Sequence, residues 1–160
     1  MTNDPDHILN WRRVNARLTT SGQPDTAQLA EIRDLGVTHI VNLGLGHGKD
    51  ALPDEADKVA ALGMRYTHIP VDFESPTDQD FADFKAALDN DAGSQIHVHC
   101  IYNARVSAFF YRYAKTYDDL PEEEAFAMME SIWRPGDDWA DFIGDSAAKG
   151  QPNRYAGDDY

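Results

Sequence analysis

The stretch HVHCIYNARVSAFFY, from His97 to Tyr111, gathers the residue types able to do covalent and anion chemistry. It opens as an apolar, β-branched run (QIHVHC) and closes as an apolar helical one (VSAFFYRYA). Between them stand Cys100, four residues and then Arg105. Cys100 is the only cysteine of the chain. Three roles are open to it: an inert buried thiol, a metal ligand or a nucleophile. His97 and His99 stand close by. Along a strand, however, they project to the side opposite Cys100, which is poor geometry for one zinc ion. His99 is better suited to brace the loop through hydrogen bonds. No metal and no cofactor is expected.

A nucleophile at the end of a parallel strand, just before a helix, sits where open α/β sheets place their ligands. Successive N–H groups of Ile101, Tyr102, Asn103 and Ala104 would turn inward, and the helix N-terminus adds to their field. Arg105 offers a fixed fork for two oxygens of an anion. The same field stabilises a thiolate. A helix terminus alone supplies only about 0.5–2 kcal/mol. Loop amides, Arg105 and a hydroxyl must add the rest, and Ser107 is the candidate hydroxyl.

The elements that must position these groups follow a repeating plan. TAQLAEIRDLGVTHIVNL carries Leu29, Ile32 and Leu35 at helical spacing, then Gly36, then an apolar strand. DEADKVAALGMRYTHIPV repeats it with Val59, Leu62 and Gly63. Each glycine stands where a helix end wants a left-handed residue. In the third unit, Phe81, Phe84 and Leu88 share one helical face ahead of the break DNDAGS and the strand QIHVHC. Asp25 and Asp78 are the expected N-caps of the first and third helices. An earlier strand near ARLTTSGQ precedes the first helix. Helices are expected at about 104–116, from Pro121 onward, and at about 138–148. The alternation predicts an α/β fold with a mainly parallel central sheet of four to five strands flanked by helices. One domain over residues 1–160 is expected, with 1–14 and 150–160 as loose or docked ends.

HVHC, a short loop, Arg105 and a helix resemble the signature of the protein tyrosine and dual-specificity phosphatase superfamily. The spacer here is four residues rather than five. It is similar to the bacterial branch with a Cys-x4-Arg loop, related to the phosphatase-like domain of beta-lactamase hydrolase-like proteins. SGQP at 21–24, VNL at 41–43 and HCIYNARVSAF carry that likeness, which spans roughly Arg17 to Tyr113. The resemblance implies a cysteine-phosphatase-like fold and hydrolysis of a phosphomonoester through a phosphocysteine. Cys100, Arg105 and an aspartate would be catalytic, and Ile101 to Arg105 would bind phosphate, with His99 and Ser107 in support. Asp72 follows a strand 28 residues before Cys100, where the acid is implied. Phe73 beside it could shield the site. Ser107 stands at the usual hydroxyl position, while Arg105 comes one residue early, about 100° of helical rotation. Two other readings stay open: an oxyanion-binding pseudophosphatase, and a sulfurtransferase carrying a Cys100 persulfide.

Net charge is −14. That opposes binding to nucleic acid or anionic membrane through the field of the whole protein. The expected partner is a phosphorylated small molecule or phosphoprotein, with no nucleic acid and no membrane. The polar, acidic start MTNDPDHILNW does not read as a signal peptide. A single cysteine fits a reducing compartment, so a cytoplasmic location is expected. NLGLGHGKD fails the phosphate-loop spacings but, with Lys49, could form a lip over the site. Arg12, Arg13 and Arg17 either steer phosphate or solvate a surface.

Overall fold

The structure, a computed structural model, describes residues 4–46, 48, 50–117, 121–148 and 150–155. The expected helix–glycine–strand units are present. Helix α1 (Thr26–Asp34) ends at Gly36, with φ 103°, and leads into β3 (Val37–Asn42). Helix α2 (Glu55–Ala61) ends at Gly63, with φ 79°, and leads into β4 (Arg65–His68). Asp25 caps α1 in a capping box with Gln28. On α3 (Asp78–Asp89) the cap is Thr77, not Asp78: Thr77 accepts from the Asp80 amide while Asp80 reaches back to the Thr77 N–H. Both residue types can cap, and the extended backbone settles on Thr77. Asp78 then lies in the first turn and pairs with Arg112.

Strands β1 (Arg12–Arg13), β2 (Leu18–Ser21) and β5 (Gln95–His99) join β3 and β4 in one sheet, ordered β1-β2-β5-β3-β4. Only β1 runs antiparallel, to β2. β5 is central, and His99 is in register with Ser21 on one side and Asn42 on the other. The chain therefore leaves the sheet at Cys100 from between two strands whose carboxyl ends flank it.

The two faces of β5 differ. Ile96, Val98 and Cys100 look toward the larger apolar core, with Phe84 and Phe109 among its members. That core is closed by α3, α4 (Ala104–Tyr117), α5 (Glu122–Glu130) and α6 (Asp137–Ile143). His97 and His99 look to the opposite face, where Leu29, Ile32, Ile40 and Val59 pack with Ile8 and Trp11. The last helix stops at Ile143, short of the expected 148, because Gly144 adopts φ 79° and a short 3-10 turn, Ser146–Ala148, follows. A two-stranded antiparallel sheet of β6 (Trp133–Arg134) and β7 (Arg154–Tyr155), with α6 between them in sequence, pins the end of the described chain to the body. Among the described residues no helix is long and apolar enough to cross a membrane.

Candidate active site

The cysteine loop is built by contrast between its neighbours. β5 supplies a rigid, fully paired strand up to His99. Helix α4 begins at Ala104, and Ser107 N–H to Asn103 O is its first backbone bond. The amides of Ile101, Asn103, Ala104, Arg105 and Val106 donate to no acceptor among the described residues. Part of this follows from helix geometry, since the first helical N–H groups have no intrahelical partner. The consequence is a run of donors around Cys100, itself buried at 1% exposure.

Asn103 makes the turn with φ 74°, a left-handed conformation that asparagine tolerates better than most residues. Its amide is locked by two bonds, to Asn10 O at 2.9 Å and to Thr20 Oγ1 at 3.0 Å. Asn10 returns the contact through its own Nδ2, which donates to Tyr102 O at 2.8 Å. On the other flank the Gln23 N–H donates to Ile101 O at 3.0 Å. Gly22 is needed here: a Cβ at that position would lie 2.6 Å from Ile101 O. The SGQP turn is thus the seat on which the Ile101–Tyr102 peptide rests.

Arg105 lies inside this frame at 8% exposure. Its Nη1 donates to Val71 O at 2.9 Å, and its guanidinium sits 5.8 Å from the Phe73 ring centroid. No carboxylate pairs with it among the described residues. Val71 is the residue before Asp72, so the arginine ties the Asp72 segment to the first turn of α4. Asp72 is exposed, and its Oδ1 accepts from the Glu74 N–H at 2.9 Å. Phe73 is half-buried against Trp133 and Trp139, and the Trp139 indole donates to Phe73 O. The aromatic wall continues to the loop itself: Tyr155 stacks on Trp133 and meets Tyr102 edge-on.

Ser107 is placed differently from the expectation. Its hydroxyl donates to Ala104 O at 2.8 Å and accepts from Trp133 Nε1 at 3.0 Å. Its proton is therefore given to the helix backbone. His99 does brace the loop. Its Nδ1 donates to Cys100 O at 3.0 Å, and its Nε2 shares a hydrogen with Glu55 Oε2 at 2.5 Å. His97 is held between Thr19 and Ser21 hydroxyls and stacks on Trp11. Burial pushes its imidazole well below the ordinary histidine range, with His99 adding to the effect. Arg13 pairs with Asp4, Arg12 binds Ser131, and Arg17 binds Leu88 O, so all three are tied into structural contacts. Lys49 lies outside the described residues; within the same segment Gly46 presses against His68 with φ 84°.

The sequence reading missed Glu55, a buried carboxylate that contacts His99 from 44 positions away. One signal was available: Glu55 occupies the helical stripe continued by Val59 and Leu62, where an apolar residue is the norm.

No family model matches the chain. A solved structure of a DUF442 protein from Shewanella putrefaciens CN-32, provisionally described as a phosphatase, is 31% identical, with TM-score 0.79, over 89% of this chain and 94% of that one. The chain belongs to the DUF442 family. The same fold occurs in Tk-PTP, at TM-score 0.64 and 18% identity, over 76% of this chain and 82% of that one. TpbA from P. aeruginosa, in a cysteine-to-serine variant complexed with pTyr, shares the fold at TM-score 0.64 and 18% identity, over 94% of this chain and 87% of that one. A beta-lactamase hydrolase-like protein from Xylella fastidiosa is 33% identical over 90 residues, which are 54% of this chain and 21% of that protein. The DUF442 chain therefore spans only about a fifth of the length of that curated relative.

Proposed function

We propose that the chain is a cysteine-dependent phosphomonoesterase with a protein tyrosine phosphatase-like mechanism. One observation carries the reading: around the only cysteine stand a nearly buried guanidinium with no carboxylate partner among the described residues and a run of amide donors with no acceptor among them. Burying a cation costs several kcal/mol unless an anion meets it, so such a frame favours a tetrahedral oxyanion.

In the first step Cys100 Sγ attacks phosphorus. The S–P bond forms, the P–O bond to the leaving group breaks, and the departing oxygen takes the proton of Asp72. In the second step water attacks phosphorus and gives a proton to Asp72. The S–P bond breaks, thiolate is restored and inorganic phosphate leaves. The loop amides and Arg105 hold the equatorial oxygens throughout. Phosphotyrosine fits as a substrate because Tyr102, Tyr155 and Phe73 offer aromatic surface close to the loop and the acid.

A second reading is an oxyanion-binding module without turnover. It is favoured by the commitment of one Arg105 nitrogen to Val71 O and of the Ser107 proton to Ala104 O. Hydrolysis of p-nitrophenyl phosphate by wild type and Cys100→Ser across pH 5–8 separates the two. Activity in wild type alone supports the esterase. Inactivity of both with retained orthovanadate binding favours the module, and neither activity nor binding ends both readings.

A further inference from the structure

We infer that Glu55 is a positioning residue that grips the chain on both sides of Cys100. The inference rests on Cys100 being the centre of an oxyanion site. Glu55 is 5% exposed, at the start of α2, a helix otherwise remote from the loop in sequence. Among the described residues its carboxylate has two hydrogen-bond partners. Oε2 meets His99 Nε2 at 2.5 Å, and Oε1 accepts from Gln23 Nε2 at 2.7 Å. His99 immediately precedes Cys100 and donates from its other nitrogen to Cys100 O. Gln23 holds Ile101 O, the carbonyl immediately after, through its main-chain N–H. One carboxylate thus bears, through His99 and Gln23, on the two successive peptides that follow the Cys100 Cα.

The hydrogen count makes this arrangement specific. Cys100 O can only accept, so His99 Nδ1 carries a hydrogen. The bond at Nε2 then joins either an imidazolium to a carboxylate or an imidazole to a carboxylic acid. Both forms are neutral as a pair, so the grip adds no net charge beside the sulfur. Packing alone does not account for Glu55. A buried charged or polar pair is commonly matched or exceeded in stability by apolar residues of similar volume. Its neighbours on the stripe, Val59 and Leu62, show that α2 accepts apolar residues on this face. What an apolar side chain would lose is direction: both hydrogen bonds end at residues that shape the cradle.

The test compares Glu55→Met, which keeps volume, Glu55→Gln, which keeps the capacity for both hydrogen bonds, and Gln23→Met, which removes one arm. Binding of orthovanadate and the alkylation rate of Cys100 by iodoacetamide are read on protein shown to be folded. Glu55→Met is expected to weaken orthovanadate about tenfold or more, equivalent to about 1.4 kcal/mol. It should change the alkylation rate by a similar factor, with Glu55→Gln within about threefold of wild type for both readouts and Gln23→Met between the two. A Glu55→Met protein that matches wild type in both readouts overturns the inference. So does a Glu55→Gln protein that loses as much as Glu55→Met. If Glu55→Met does not fold, Gln23→Met decides, and wild-type behaviour there overturns it. Should wild type bind no orthovanadate, the proposed function fails on its own, and the alkylation rates still judge Glu55.

Discussion

Asp72 and His97 illustrate two uses of a titratable side chain. Asp72 is exposed, next to the carbonyl that Arg105 holds. In the proposed reaction an acid at Asp72 matters most when the leaving oxygen is basic. Asp72→Ala should therefore lose far more rate on phenyl phosphate than on p-nitrophenyl phosphate, measured as kcat. Equal losses would remove it from the mechanism. His97 is a buried ring whose burial disfavours the protonated form. Burial keeps its ring neutral when folded, and burial also lowers His39 despite its partner Asp91. In the unfolded chain both rings bind a proton below about pH 6.5. The unfolded state thus holds more protons, and stability falls as pH drops below that value, by up to about 1.4 kcal/mol per pH unit for each ring. Urea unfolding at pH 7.5 and 5.5 should show the decline, and His97→Gln should flatten it. An unchanged slope would place His97 outside the effect.

Among the elements, the SGQP turn leaves little room beside the cysteine loop. Gly22→Ala would drive a methyl group into Ile101 O and the Leu9 side chain. The loop must shift, so orthovanadate binding should fall at least tenfold while the far-UV circular dichroism stays unchanged; retained affinity would mean that the loop tolerates displacement. The SGQP turn, the helix-ending glycines and the Asp25 cap were legible in the sequence because each obeys a local rule. Thr77 was not, since Asp78 offers the same chemistry one residue later. β1, β6 and β7 were invisible for another reason. Each has two residues, too few for a period, and β6 and β7 depend on each other across 22 positions, Trp133 to Tyr155 having no local trace. The cysteine and arginine could be read from spacing. The Glu55 and Asn10 contacts could not, because they are made only after the chain has folded back on itself.

For the molecule as a whole, the charge of −14 works against the anion proposed to bind at the loop. The cradle must act locally, within a repulsive far field. Screening shortens that field to about 8 Å at physiological ionic strength. For a dianionic aryl phosphate, kcat/KM should therefore rise between low and physiological salt, with kcat nearly constant. A flat or falling profile, in a salt whose anion does not compete, would mean that the rim carries enough local positive potential to cancel the net charge.

Asn10 and Tyr155 belong to opposite ends of the chain, and both touch the same few residues after Cys100. Proteolysis that trims either terminus would reach these braces before it reached Phe84 or Ile96 at the centre. Such trimming would loosen the Cys100 loop while leaving Phe84 and Ile96 packed. Intact mass, rather than a thermal scan, is the appropriate check on any sample that fails to react.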